Sequence, residues 1–216
     1  MRGSTPSPRV LPAQDPSARL AALRAIEAGE LVAVPTETVY GLTCARRDAA
    51  LARLVAAKGR PIEKGITLLV DGPEMARAVG ALPPVAERLA ARWWPGPLTL
   101  VVPLAPGVEL PHLITGGGDM VGLRVPDLDA TRKLATAAGP LPLTSANRSG
   151  EPEARSASQV VAELGDAVAL VLDGGIAPGG VPSTVVACGE DGLPDAWRIL
   201  RPGALDAAEI AAWLAT

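Results

Sequence analysis

The sequence predicts a single α/β domain built on an open sheet, and three observations carry that expectation. Short apolar runs suited to buried strands alternate along the chain with segments of helical periodicity. The run at residues 31–34 breaks at Pro35 into a polar, hydroxyl-rich turn. No composition break divides the 216 residues, a length that buries a full core in one folding unit.

Residues 1–14 carry Arg2, Arg9 and three prolines and read as a flexible N-terminal arm, which leaves 15–216 as the folded domain. Asp15-Pro16 starts a helix in which Leu20, Ala22, Leu23 and Ile26 recur at helical spacing until Gly29. The strand at 31–34 follows. Pro35 removes a backbone donor, so the ladder ends there, and Thr36, Glu37 and Thr38 stand at the strand's carboxyl end, where open α/β sheets place ligands. A plain polar strand-to-helix connection has the same composition.

Asp48 is expected to cap a helix that turns Leu51, Leu54 and Val55 inward and stops at Lys58-Gly59. The loop that follows holds Lys58, Arg60 and Lys64 within seven residues, bracketed by glycines and a proline. Taken singly these cations offset a helix dipole or sit in solvent; together, beside the Pro35 turn, they suggest a phosphate clamp. A strand at 66–70, helices at 73–80 and 84–94, and a strand at 98–102 come next, with Trp93 and Trp94 read as core and lid material. Gly116-Gly117-Gly118 reads as a mobile loop. The strand after it places Arg124 near its end, either paired with a carboxylate of the protein or waiting for one on a ligand.

Asp127 is expected to cap a helix to residue 138, and a short strand at 141–143 opens into Thr144-Ser145-Ala146-Asn147-Arg148-Ser149-Gly150, repeating the strand-then-hydroxyl design of the Pro35 turn. Ser156 or Ser158 starts a helix to Leu164. Strands at 168–172, 185–188 and 197–200 and a helix from Asp206 to Leu214 complete the reading.

Twenty Lys and Arg against twenty-three Asp and Glu give a formal charge of -3, and four Trp, one Tyr and no Phe leave few rings to stack bases; both weigh against a nucleic-acid platform. Cys44 and Cys188 fit no metal-ligand spacing and read as buried free thiols. With no run of signal-peptide or membrane-span character, a soluble cytoplasmic protein without membrane contact is expected. P-loop and dinucleotide fingerprints are absent, and the lone His112 has no nucleophile beside it in sequence. What remains is an inventory of hydroxyls (Thr36, Ser145, Ser183), an amide (Asn147) and cations (Lys58, Arg60, Lys64, Arg124, Arg201), suited to holding a polyanion and a small zwitterion.

Seven motifs stand in the order of the YrdC/TsaC family, in its single-domain form: Pro35-Thr36-Glu37-Thr38-Val39-Tyr40-Gly41-Leu42, Lys58-Gly59-Arg60-Pro61, Trp94-Pro95-Gly96-Pro97-Leu98-Thr99, Gly122-Leu123-Arg124-Val125-Pro126, Ser145-Ala146-Asn147, Ser183-Thr184-Val185-Val186 and Arg201-Pro202-Gly203. The chain resembles that family from about Leu20 to Gly203 and departs from its pattern at Gly65, Leu69, Met120 and Pro182. The resemblance implies a twisted, mixed α/β sheet with a large concave cleft and a threonylcarbamoyl-AMP synthase that uses L-threonine, bicarbonate and ATP, with Mg2+ carried by the ATP. It implies Lys58 and Arg60 as catalytic groups on the phosphates; Lys64, Ser145, Asn147, Arg155 and Arg201 as further nucleotide contacts; and Thr36, Arg124 and Ser183 as the threonine pocket. No metal ligand is assigned. Hand-off to a TsaD-type transferase for tRNA threonylcarbamoyladenosine formation is implied, and a weak tRNA contact stays open. The alternatives are a non-catalytic tRNA- or RNA-binding module and carbamoyl transfer to another acceptor. The 116–118 loop or the 1–14 arm is the candidate cover for the cleft.

Overall fold

The structure, a computed structural model, describes residues 7–59, 65–189 and 192–215. Short apolar runs form the strands β1 (Arg9–Pro12), β2 (Val32–Val34), β3 (Gly41–Thr43), β4 (Thr67–Leu69), β5 (Leu98–Pro103), β6 (Met120–Arg124), β7 (Leu141–Ser145), β8 (Leu170–Asp173), β9 (Thr184–Cys188) and β10 (Trp197–Arg201). They join in one sheet of order β1-β8-β2-β3-β7-β4-β6-β5-β9-β10. Pairing is mixed: β1, β8 and β2 run parallel, β3 and β7 are antiparallel to their neighbours, and β4 pairs parallel with β6 and antiparallel with β7. The helices are α1 (Pro16–Glu27), α2 (Asp48–Lys58), α3 (Pro73–Arg77), α4 (Pro84–Trp93), α5 (His112–Thr115), α6 (Asp129–Ala138), α7 (Ala157–Leu164) and α8 (Ala207–Leu214). This is the expected mixed sheet with flanking helices.

Side-chain alternation along the strands sorts the core into two clusters, one on each face. Ala33, Leu68, Leu98, Leu100, Leu123 and Val171 point into the larger cluster, with Leu51 and Leu54 of α2, Leu89 of α4, Val160 of α7 and Ile210 of α8. Val32, Val34, Leu69, Leu141, Leu143, Leu170 and Leu172 point the other way, against Ala22 and Ile26 of α1 and Leu134 and Ala135 of α6. Among the described residues, α1 and α6 supply the helical part of that second cluster, and they pack on one another. Beyond them the second face carries Thr67 of β4, Thr99 of β5 and Arg124 of β6, with Ser183 just ahead of β9.

Three expectations are corrected. Part of the 1–14 segment is not an arm, because β1 adds to the sheet edge and pairs parallel with β8, Val10 opposite Val171; its residues are mostly exposed, so they show no buried-strand pattern. Asp127 does not cap α6: the cap position is Leu128, without a side-chain hydrogen bond, and Asp129 sits in the first turn. Asp48 likewise lies inside its helix, with Arg47 at the cap. The caps at Asp15, Ser156 and Asp206 do form, each side chain accepting from a backbone N–H of the first turn. Cys44 and Cys188 are both buried, and burial pushes the Cys44 thiol up to about 12, so it stays protonated. No described helix is long and apolar enough to cross a membrane.

Gly65 has a packing reason. A Cβ there would lie 2.2 Å from the carbonyl oxygen of Ile114, and Ile66 N donates to Leu113 O at 3.1 Å, so the chain entering β4 presses against α5 with no room for a side chain. Leu134 locks α6 to the sheet. Leu134→Ala is expected to lower unfolding free energy by about 2–5 kcal/mol, read from urea denaturation.

Candidate functional site

The polar stretch of the second face forms the floor of a cavity of about 690 Å3. Its residues follow from strand alternation. Thr67, Thr99 and Arg124 directly adjoin Leu68, Leu98 and Leu123 in their strands, and so project from the opposite face to those core leucines. Ser145 lies two residues beyond Leu143 and shares its side of β7. All four polar residues line the cavity, with Thr36, Lys58, Asn147, Glu151, Glu153, Ser183 and Arg201 around them. Sequence reasoning placed the site at strand carboxyl ends. Because β7 and β6 run in opposite directions on either side of β4, their carboxyl ends lie at opposite ends of that three-residue strand, and the cavity spans the face between them.

One wall is built by α2 and the loop after β7. Lys58 closes α2, Gly59 turns left-handed behind it, and Ser149 N donates to Lys58 O at 2.9 Å. The buried Lys58 ammonium donates to Ser145 O at 2.8 Å and Asn147 O at 2.7 Å, with Asn147 Oδ1 at 3.1 Å and Ser145 Oγ at 3.3 Å. These oxygens replace the water that a buried cation gives up.

The Pro35 turn forms the edge beside α6. Thr36 Oγ1 donates to Val39 O at 2.6 Å and accepts from the backbone N–H groups of Thr38 and Val39, so one hydroxyl staples the turn. Thr131 of α6 donates its hydroxyl to Pro35 O at 2.6 Å. Tyr40 reaches out of the turn and donates to Gly175 O at 2.8 Å, which ties the loop after β8 to the same edge. Gly179 N and Gly180 N donate to Glu37 O and Thr38 O at 2.9 and 2.8 Å.

The far wall holds two arginines. Arg124 is buried, and its Nη2 donates to Glu37 Oε1 at 2.6 Å and to Thr38 Oγ1 at 2.8 Å. The choice left open by the sequence is thus decided in part: a carboxylate of the protein pairs with Arg124, while its buried Nε has no partner. Glu37 Oε2 also accepts from Asp127 N at 3.0 Å. Arg201 Nη2 donates to Ser183 O at 2.8 Å and lies 3.3 Å from Ser183 Oγ, which shares a 2.8 Å hydrogen bond with Thr99 Oγ1. Burial, and then the positive charge of Arg124, pull the Arg201 guanidinium below its ordinary value, although it stays a cation. Two cations that raise one another's energy on the same wall favour an anion beside them. Gly203 brings its backbone so close to Pro182 and Ser183 that a Cβ would sit 2.5 Å from their atoms, which sets Arg201 against Ser183.

Of the expected site residues, Thr36, Lys58, Arg124, Ser145, Asn147, Ser183 and Arg201 come together on this cavity. Arg60 and Lys64 lie outside the described residues. Arg155 is not among the lining residues: its Nη2 lies 3.4 Å from Ala177 O, and its guanidinium packs under Gly180. Sequence reasoning missed Glu37 as the partner of Arg124, and Thr99, whose signal was a lone hydroxyl within the apolar run at 98–102. Among the described residues no group of three or more His, Cys, Asp or Glu stands close enough to hold a metal ion.

Comparison with known proteins finds relatives over most of the chain. The family model described as Sua5_yciO_yrdC, "Telomere recombination", matches residues 24–203. The threonylcarbamoyl-AMP synthase of Pyrococcus abyssi is 40% identical over 190 residues, covering 86% of this chain and 54% of the relative. That of Chromohalobacter salexigens is 42% identical over 176 residues, covering 80% of this chain and 94% of the relative. The crystal structure of P. abyssi Sua5 complexed with L-threonine superimposes with a TM-score of 0.85 at 36% identity, over 95% of this chain and 60% of that one. The chain therefore spans little more than half the length of the Pyrococcus relative.

An anion should occupy the space between the two walls. Inorganic pyrophosphate is expected to raise the melting temperature, and Arg201→Gln to weaken its apparent affinity about tenfold, since hydrogen bonds to charged groups are worth roughly 1.5–3 kcal/mol. Thermal melts across a pyrophosphate series check this; an unchanged affinity removes Arg201 from the anion site.

Proposed function

This chain belongs to the Sua5/YciO/YrdC family, and from that premise we propose that it is an L-threonylcarbamoyladenylate synthase, forming threonylcarbamoyl-AMP and pyrophosphate from L-threonine, bicarbonate and ATP. The observation that carries the reading is the two-walled cavity. Lys58, Ser145 and Asn147 stand on one side, and Arg124, Ser183 and Arg201 on the other. One wall suits phosphates, and the other suits the carboxylate and hydroxyl of a small amino acid.

In the proposed reaction the threonine amine takes up carbon dioxide derived from bicarbonate to give a carbamate. A carbamate oxygen attacks the α-phosphorus of ATP, the bond from that phosphorus to the bridging oxygen breaks, and pyrophosphate leaves with the electron pair. The protein's task is positioning and charge neutralisation. Lys58 stabilises charge on the phosphates by exchanging one of its loop oxygens for a phosphate oxygen, and Arg60 joins it on the strength of the family motif. Ser145 and Asn147 hold the nucleotide side. Thr36, Arg124 and Ser183 hold threonine, whose carboxylate accepts from Arg124. Magnesium enters with ATP, bound to the triphosphate, and we assign it no protein ligand. Use of the product by a TsaD-type transferase in the cytoplasm, for tRNA threonylcarbamoyladenosine, belongs to the same proposal.

Pyrophosphate release that requires threonine and bicarbonate together is the expected result. Salt-sensitive tRNA binding without such turnover would replace the enzyme with a binding module, and bicarbonate-dependent release with another acceptor would replace threonine. Arg124→Ala is expected to raise the KM for threonine at least about tenfold with little change in the KM for ATP.

A further inference from the structure

We propose that Glu37 is a positioning residue for amino-acid recognition, acting through Arg124 without touching the substrate. The inference rests on the reading that Arg124 binds the amino acid's carboxylate.

Glu37 is not among the residues that line the cavity, yet it controls one that is. Every hydrogen bond that Arg124 makes among the described residues leaves from Nη2, to Glu37 Oε1 at 2.6 Å and Thr38 Oγ1 at 2.8 Å. Nη1 is left for a ligand, and Nε is buried without a partner. The guanidinium is thus held by one corner, with the Arg201 cation on the same wall repelling it. Without the carboxylate, only the Thr38 hydroxyl would restrain it. Glu37 is itself fixed at its second oxygen by Asp127 N at 3.0 Å, and its side chain is 17% exposed, so it has little freedom to follow a moving arginine. A neutral isostere cannot do both jobs, because glutamine has one accepting oxygen for two donors on opposite sides of the group.

Two effects compete when the charge is removed. A less neutralised Arg124 attracts a carboxylate more strongly, whereas a guanidinium free to swing is no longer pre-organised for one. Positioning wins here because, among the described residues, Glu37 supplies the only charged partner of the single anchored corner. A purely structural role, stapling residue 37 to residue 127, would disturb ATP and threonine alike and would be blind to the carboxylate.

The test compares the wild-type full chain with Glu37→Gln, measuring pyrophosphate release and, separately, binding of L-threonine, L-threoninamide and ATP by calorimetry. For Glu37→Gln the expectation is a KM for threonine raised about tenfold, a KM for ATP within about twofold, and a loss of most of the wild-type preference for threonine over its amide. Thr38→Val, which removes the other acceptor at Nη2, should move the same ratio in the same direction by less, and it decides the matter if Glu37→Gln does not fold. Equal losses for both substrates, tighter threonine binding, or an unchanged threonine-to-amide ratio would overturn the proposal. Absence of threonine-dependent release in the wild type would instead overturn the enzymatic reading on which it stands.

Discussion

The second face of the sheet is only partly covered by helices, and the site depends on that shortfall. Where α1 and α6 lie, the strands present Val32, Val34, Leu141, Leu170 and Leu172 to them. Past that cover the same alternating positions would face water, and they carry Thr67, Thr99, Arg124 and Ser183 instead. The opposite sides of these strands remain apolar, because the larger core needs them. Each of these strands therefore does two jobs at once, holding the core with its odd or even residues and lining a polar cavity with the others. A one-residue slip of register in β5 or β6 would bury Thr99 or Arg124 among leucines and put leucines in the cavity, so the core itself enforces where the functional groups point.

Burying cations in such a place costs desolvation, and the fold meets that cost differently at each one. Lys58 is surrounded by oxygens of residues 145 and 147, two of them backbone carbonyls, which stand in for the water its ammonium gives up. Arg124 has a carboxylate behind it. Arg201 leans on Ser183 and feels both burial and the charge of Arg124, with Glu153 working weakly the other way. A chain with a formal charge of -3 thus concentrates positive groups in one hollow. The global field does not draw in polyanions; whatever attraction they meet has to be local.

Much of this was legible in the sequence, for physical reasons that differ by element. The strands at 32–34, 67–69, 98–103 and 120–124 were visible because both the apolar run and its interruption by Gly or Pro are local signals. β1 was not, because Val10 and Leu11 gain their place only by pairing with a strand some 160 residues away, at Val171 and Leu172. The cap of α6 was misplaced because Asp127, a natural cap by type, stands one residue too early, with its carboxylate toward Arg132 Nη1 at 3.4 Å. The site inventory was legible as residue types but not as partners: nothing local says that the acid in the Pro35 turn serves an arginine 87 residues on. Arg155, a cation matched by position, lies against the 177–180 loop and is not among the residues that line the cavity, a placement that nothing local in the sequence signals.

The glycines at the rim explain how distant segments approach so closely. Gly179 lies where a Cβ would meet Glu37 O at 2.8 Å, Gly174 where it would meet Pro35, and Gly203 where it would meet Ser183. Gly179 and Gly203 put a passing chain directly against the backbone of a segment that carries site residues, Gly174 packs against the ring of Pro35, and two of the three lie at the Pro35 turn. That turn is consequently clamped from three sides, by α6 through Thr131, by Tyr40 through Gly175, and by the 179–180 amides. Loops that carry recognition groups are usually the mobile part of a scaffold. Here the Thr36 and Thr38 hydroxyls and the Glu37 carboxylate are each engaged in hydrogen bonds within the fold, which pre-organises the turn without any ligand.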